Sequence, residues 1–197
     1  MQDKAKNYQL KITLKSSSPA IWRRVVVPGD YNFYDLHDVI QIAMGWQDEH
    51  LFQFIVDDKT ITDTEMIEDG DVIDAQEVLL EELLEEEGMR FTYEYDFGDG
   101  WEHLLLVEQI SFSDEPLECP ICLAGERSGP PENSGGVWGY QEMLEILADP
   151  DHEMYDETSD WIGEEFDPEL FDLDDVNEEL RLMEMSDEDE DEDEDEE

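Results

Sequence analysis

Hydrophobic and polar positions alternate from the start of the chain. Leu10, Ile12 and Leu14 are separated by Lys11, Thr13 and Lys15, the period of a half-buried antiparallel strand. Ser16-Ser17-Ser18-Pro19 interrupts the pattern, and the β-branched and aromatic run Ala20 to Val27 ends at Pro28-Gly29, so a hairpin is predicted. The period then lengthens. Leu36, Val39, Ile40 and Ala43 recur at helical spacing after Asn32, a capping residue with Asp35 in its first turn, and before Gly45, a C-terminal stop. Leu51 to Val56 predicts a short strand, with Asp57-Asp58-Lys59 as its turn. Thr62 to Ala75 has weak periodicity and reads as a surface loop. Glu77 to Glu87, with Val78, Leu79, Leu83 and Leu84 along one side, reads as a short amphipathic helix ended by Gly88.

A second hairpin is predicted where Phe91, Tyr93, Tyr95 and Phe97 alternate with Thr92, Glu94 and Asp96 ahead of Asp99-Gly100, a strong two-residue turn signal. That turn sets Asp96 opposite His103. A three-residue loop from Gly98 to Gly100 sets Asp96 against Glu102 and Tyr95 against His103. Charge favours the first register, because opposed carboxylates repel and an Asp–His pair attracts. Matching of apolar faces favours the second. The two-residue register is the expectation adopted.

Beyond the strand ending near Phe112 lie Cys119-Pro120-Ile121-Cys122 and the loop GERSGPPENSGG, whose Gly and Pro content argues against regular structure. Tyr140 to Ala148 predicts a helix with Met143, Leu144 and Leu147 on one side. Asp151 to Asp172 mixes acids with Trp161, Ile162, Phe166 and Phe171, a segment pinned by aromatics. A last helix is expected from Asp174 to about Met185, presenting Val176, Leu180 and Met183 to the core.

Charge then alters the picture. The 197 residues carry 59 acidic and 10 basic side chains, for a net charge of -49. The eleven residues Asp187 to Glu197 are all acidic, and such a block repels itself. The expected organisation is one domain over residues 1–185 and a disordered acidic tail over 186–197. Residues 1–29 stand apart with a local charge of +5, which reads as a hairpin whose outer face pairs with acidic neighbours. So lopsided a balance argues against a nucleic-acid partner, whose affinity rests on Lys and Arg displacing counterions. No apolar run approaches the roughly 20 residues that span a bilayer, and the N-terminal segment has no apolar leader core. The expectation is a soluble, cytoplasmic protein without a membrane partner. Two cysteines exclude a disulfide framework.

Four ordered segments, YDLHDVIQIAMGWQDEHLFQF, FTYEYDFGDGWEH, CPICLAGERSGPPENSGGVWGY and FDPELFDLDDVNEEL, resemble the hallmark segments of the plasmid pRiA4b Orf-3-like family. The resemblance covers nearly everything from Tyr8 to Arg181. It implies an α+β fold with a β-grasp-like mixed sheet and C-terminal helical additions, and it implies no particular activity. Relatives are expected to carry further cysteines before the Pro-Pro and Gly-Gly pairs; here those positions are Gly129 and Ser134. Four cysteines close a zinc site, and two do not.

Two chemical constellations stand out. Cys119 and Cys122 have the spacing that lets two thiolates reach one tetrahedral metal, zinc or another soft ion, with His103 or His152 as nitrogen donor. Reduced structural thiols are the commoner alternative. Asp96, Asp99, Glu102 and His103 gather polar groups at one hairpin tip, enough for general acid–base work or a divalent ion. Against that reading, Asp99 suits the turn and Asp96 orients His103, and no nucleophile completes a catalytic set. Asp172, Asp174, Asp175 and Asn177 are better explained by helix capping than by calcium, because Val176 interrupts the ligand pattern. His37 and His50 flank the first helix and read as packed or surface residues. The five tryptophans read mostly as core, with some lining a groove against the C-terminal helices. The leading expectation is a non-enzymatic acidic interaction module that binds a protein or other cationic partner without a cofactor. The alternative is a metal-binding domain or metal-dependent enzyme centred on His103, Cys119 and Cys122.

Overall fold

The N-terminal alternation becomes a hairpin of β1 (Ala5–Leu14) and β2 (Trp22–Pro28), in which Tyr8, Leu10, Ile12, Leu14, Val25 and Val27 all turn to one buried face. The structure is a computed structural model and describes residues 4–64, 72–163 and 166–194. The helix α1 (Phe33–Met44) follows, started by Asn32 as expected, with Asp35 completing a reciprocal capping box, and stopped by Gly45 in the left-handed conformation. It packs against β2 and lays Leu36, Val39, Ile40 and Ala43 into the same core.

Six further strands extend the sheet: β3 (Phe52–Val56), β4 (Lys59–Thr62), β5 (Val72–Asp74), β6 (Arg90–Tyr95), β7 (Trp101–Ser113) and β8 (Ile121–Glu126). The order across this eight-stranded sheet is β5-β4-β3-β6-β7-β1-β2-β8, antiparallel except for the parallel β4–β5 pair. The long strand β7 joins the two hairpins by pairing with β6 on one side and β1 on the other. One mixed α+β unit results. The expected pairing of the basic hairpin holds: Arg24 makes a two-pronged contact with Glu108, and Lys15 and Lys4 meet Glu102 and Asp114. Arg23, by contrast, turns inward.

Several elements differ from the sequence reading. Lys59 to Thr62 is a strand rather than turn and loop, because Ile61 reaches the core and Thr62 hydroxyl bonds the Phe52 carbonyl. The stretch read as a surface loop contains β5 and ends in buried Ala75, whose carbonyl accepts the Phe33 and Tyr34 amides at the start of α1. The predicted helix from Glu77 shrinks to α2 (Leu80–Leu83), since the Leu80 and Glu81 amides are tied to carbonyls of Tyr31 and Gly29. The strand β8 falls where a CxxC segment and loop were expected. It forms because β2 offers an edge and Asn177 braces it, donating to the Cys122 carbonyl and accepting the Cys122 amide at 2.9 and 2.8 Å.

The C-terminal helices are α3 (Gly136–Leu147), α4 (Tyr155–Ile162) and α5 (Leu173–Glu194). α5 is capped as expected by Asp172, whose Oδ1 accepts the Asp174 and Asp175 amides. It runs past the Met185 boundary into the acidic block; residues 195–197 lie outside the described residues. Each residue added to an existing helix gains one backbone bond, so the ladder propagates from the capped start. No helix among the described residues is long and apolar enough to cross a membrane.

Candidate functional site

At the tip of the second hairpin, Tyr95 pairs with Trp101, Glu94 with Glu102 and Tyr93 with His103, which leaves a five-residue loop from Asp96 to Gly100. Both registers weighed from sequence are displaced. Asp96 does not oppose His103, and the opposed carboxylates that charge disfavours are present. The buried face decided: this register puts Phe91, Tyr93 and Tyr95 beside Leu105, His103 and Trp101, all at most 3 % exposed. The cost of facing carboxylates is offset locally, because Glu94 accepts from Gln53 and Glu102 pairs with Lys15. Asp96 adopts a positive φ of 54° and its Oδ1 accepts the Gly98 and Asp99 amides, a side-chain-closed turn.

Three loops meet at this tip. Asp99 reaches the Gly135 amide at 2.9 Å, and Trp46, just past α1, donates its indole N–H to the Pro130 carbonyl at 2.8 Å. Gly136, at φ 69°, lies so near the hairpin that a Cβ there would sit 2.4 Å from the Asp99 carbonyl oxygen. The result brings His50, Asp96 and Glu132 together. His50 Nε2 stands 3.6 Å from Asp96 Oδ2 and 3.8 Å from Glu132 Oε2, distances of charge proximity rather than hydrogen bonding. His50 Nε2, Glu132 Oε2 and Ser134 Oγ are buried atoms without a hydrogen-bond partner among the described residues. The other Glu132 oxygen accepts the Tyr95 hydroxyl at 2.9 Å and the Gln47 amide at 3.2 Å, while Tyr95 in turn accepts the Glu49 amide.

Of the hairpin-tip residues proposed from sequence, the structure places only Asp96 in this cluster. Asp99 shapes the loop contact, Glu102 faces the opposite side with Lys15, and His103 is buried in the core. His50 and Glu132 were missed as partners. The available signal was an acid held between Pro-Pro and Gly-Gly pairs in a loop of constrained backbone. Geometrically, the cluster sets the imidazole between two carboxylates and so draws together the α1–β3 loop, the hairpin tip and the Pro-Pro loop. Glu132→Ala is expected to cost about 1–3 kcal/mol, because Tyr95 and Gln47 both lose their acceptor. Faster amide exchange at Gln47 checks it.

Beneath this cluster lies a buried network. His37 Nδ1 and Gln41 both bond the Tyr93 hydroxyl, at 2.8 and 2.9 Å, and His37 Nε2 meets Asp48 at 2.9 Å. The imidazole stacks on Phe52 with ring centroids 3.7 Å apart. Burial pushes its pKa down, and Asp48 opposes that shift.

The structure separates the proposed metal ligands. His103 lies on β7 and Cys122 on β8, three strand spacings apart, on the order of 14 Å. Cys122 is 2 % exposed beneath α5, and burial raises its thiol pKa. Among the described residues no group of three or more His, Cys, Asp or Glu is placed to hold a metal ion. His103 is fully buried beside Trp46 and Tyr93, and among the described residues neither ring nitrogen is in a well-formed hydrogen bond. Burial pulls its pKa down to about 3. Gly129 lies against α1: a Cβ there would come within 2.0 Å of the Met44 carbonyl oxygen, so this backbone has no room for a cysteine.

A single mixed sheet backed by helices, with a polar junction of three loops at one end, defines the class of protein. The chain belongs to the plasmid pRiA4b ORF-3-like family, whose pattern matches residues 6–175. It is 44% identical over 159 residues to the uncharacterized protein y4hQ of Sinorhizobium fredii, covering 79% of this chain and 80% of that protein. Among solved structures it is similar to a protein of unknown function from Methanosarcina mazei Go1, MM3350. That match has a TM-score of 0.78 at 43% identity and covers 88% of this chain and 98% of the other.

Proposed function

We propose that this protein is a non-enzymatic interaction module of the cytoplasm, β-grasp-like in its hairpin–helix–sheet order, that receives a cationic protein segment in an acidic groove between α3 and α4. One observation carries the reading. Residues 136–163 hold eight acidic side chains and no Lys or Arg, and none of the eight makes an ion pair among the described residues. Three of them, Glu142, Glu153 and Glu157, line a groove of about 640 Å³ together with Met143, Met154 and Trp161. Trp161 is 53 % exposed there and Trp138, on α3, is 81 % exposed. Unpaired carboxylates beside open indole faces suit an arginine-rich segment, whose guanidinium groups pair with the one and stack on the other.

The test is titration of the full chain with an arginine-rich peptide, followed by tryptophan fluorescence. The expected result is binding that weakens steeply as salt rises and survives Cys119→Ser. Neutralising Glu142, Glu153 and Glu157 to Gln should weaken it on the order of tenfold more than neutralising Glu188, Glu190 and Glu192 in the tail. Equal loss from the two triple variants would mean that bulk charge alone attracts the peptide, and would sink the groove reading.

A further inference from the structure

Arg23 is 2 % exposed, in a chain of 59 acidic side chains, yet no described carboxylate lies within ion-pair distance of it. Its Nε donates to the Ala43 carbonyl at the C-terminal end of α1, and its Nη1 donates to the carbonyls of Trp22 and Glu126 at 2.9 and 3.0 Å. Nη2 has no hydrogen bond among the described residues. The Phe171 ring covers one guanidinium face at 4.3 Å. Gly125 makes room for this stack, since a Cβ there would fall 2.8 Å from Arg23 Cδ and 2.7 Å from Phe171 Cζ. The guanidinium is therefore held through Nε, through Nη1 and on one face, and Nη2 is the nitrogen left without a described partner.

The backbone carbonyls explain Arg23 as a brace between α1 and β8, but among the described residues nothing neutralises its charge. Desolvation lowers its pKa to about 10, so it is still a cation at neutral pH. Leaving a buried charge without a counter-ion is costly. Beside it opens a cavity of about 470 Å³ between the end of α1, the Ser128–Glu132 loop and the start of α5, a size typical of small-molecule sites. Ile42, Phe166 and Leu170 supply apolar wall, and the exposed carboxylates Asp172, Asp175 and Glu179 stand on its solvent side.

The geometry points to this cavity as a binding site for a free α-amino acid with an apolar side chain. The ligand carboxylate accepts from Nη2 and takes the charge of Arg23. Its ammonium group faces the three outer carboxylates, and its side chain lies on Ile42, Phe166 and Leu170. Each half of the site rejects simpler ligands. A plain anion meets the acidic mouth, and a plain amine leaves Arg23 unpaired. The site goes beyond the groove reading and stands without it.

The experiment titrates the isotopically labelled full chain with leucine or phenylalanine by amide-shift NMR. Saturable shifts centred on Ile42, Leu170 and Val176 are expected. Isocaproate, which lacks the amino group, and isoamylamine, which lacks the carboxylate, should each bind at least about tenfold more weakly. Arg23→Lys keeps the charge but loses the planar fork, and should weaken leucine on the order of tenfold. Leu170→Trp fills the cavity from an exposed position, leaves Arg23 in place, and should abolish binding with the fold retained by circular dichroism. It decides the matter if Arg23→Lys fails to fold. Absence of saturable binding overturns the proposal, as does binding that Leu170→Trp leaves unchanged or that isoamylamine or inorganic phosphate matches. Glu164 and Glu165 lie outside the described residues. Binding gained only on their joint replacement by Gln would assign Arg23 a carboxylate of its own chain and overturn the proposal as well.

Discussion

Trp101→Ala is expected to lower stability by roughly 4 kcal/mol, in the range measured for truncating Phe or Trp in packed cores. Trp101 has no solvent exposure, opens β7 directly after the hairpin tip, and lies opposite Tyr95 with its ring centroid 6.1 Å from that of Trp46. Its removal empties the space beneath the junction of the three loops, where the glycine contacts and the Trp46 hydrogen bond hold backbone segments too close to collapse inward. For a chain of this size the loss corresponds to a fall in Tm of roughly 8–16 °C. Trp101→Phe supplies the contrast. The indole N–H is buried without a partner among the described residues, so Phe keeps most of the apolar volume, discards an orphaned donor, and should cost less than about 2 kcal/mol. Denaturant unfolding of both variants checks the pair. A Phe variant as unstable as the Ala variant would mean that the N–H is satisfied, and the packing account would fail.

Acidification should expose the second large effect, centred on His103. Its folded-state pKa, about 3, lies below the ordinary value of 6.5 because burial excludes the charged form. Between those two values the unfolded chain binds the extra proton, so stability falls as pH drops through that window and is fully present above it. At up to about 1.4 kcal/mol per pH unit, the loss between pH 7 and pH 4.5 is roughly 2.5 kcal/mol. The many carboxylates act in the same range, since protonation relieves the repulsion of a net charge of -49. The measurement is therefore a difference: His103→Leu should lose about 2.5 kcal/mol less than the unaltered protein over that interval. Parallel pH profiles for the two proteins would sink the assignment.

How much was legible beforehand follows from which interactions are local. Asn32, Asp35 and Gly45 announced α1 because a cap is made by residues within one turn of each other. Asp172 announced the start of α5 in the same way. The register of the second hairpin was not legible. Asp99-Gly100 signals a two-residue turn, but the pairing of Tyr95 with Trp101 is set by a buried aromatic face that contains Trp46, from outside the hairpin. The strand β8 was hidden for a related reason. Gly125 weakens it as a strand considered alone, and the same glycine is required by the Arg23–Phe171 stack.

By itself, the sequence determined the charge of the protein, the first hairpin and helix, the capped start of α5 and membership of the family. Each depends on composition, on short-range periodicity or on motifs contiguous in the chain. Tertiary structure alone decided that β7 would join the two hairpins in one sheet and that His103 and Cys122 would stand three strands apart. It alone decided that His50, Asp96 and Glu132, drawn from three loops, would meet, and that Arg23 would be buried with no described carboxylate in ion-pair reach. Those outcomes rest on contacts between residues far apart in sequence. Such contacts are selected by which faces must leave water together, and no local pattern along the chain records that choice.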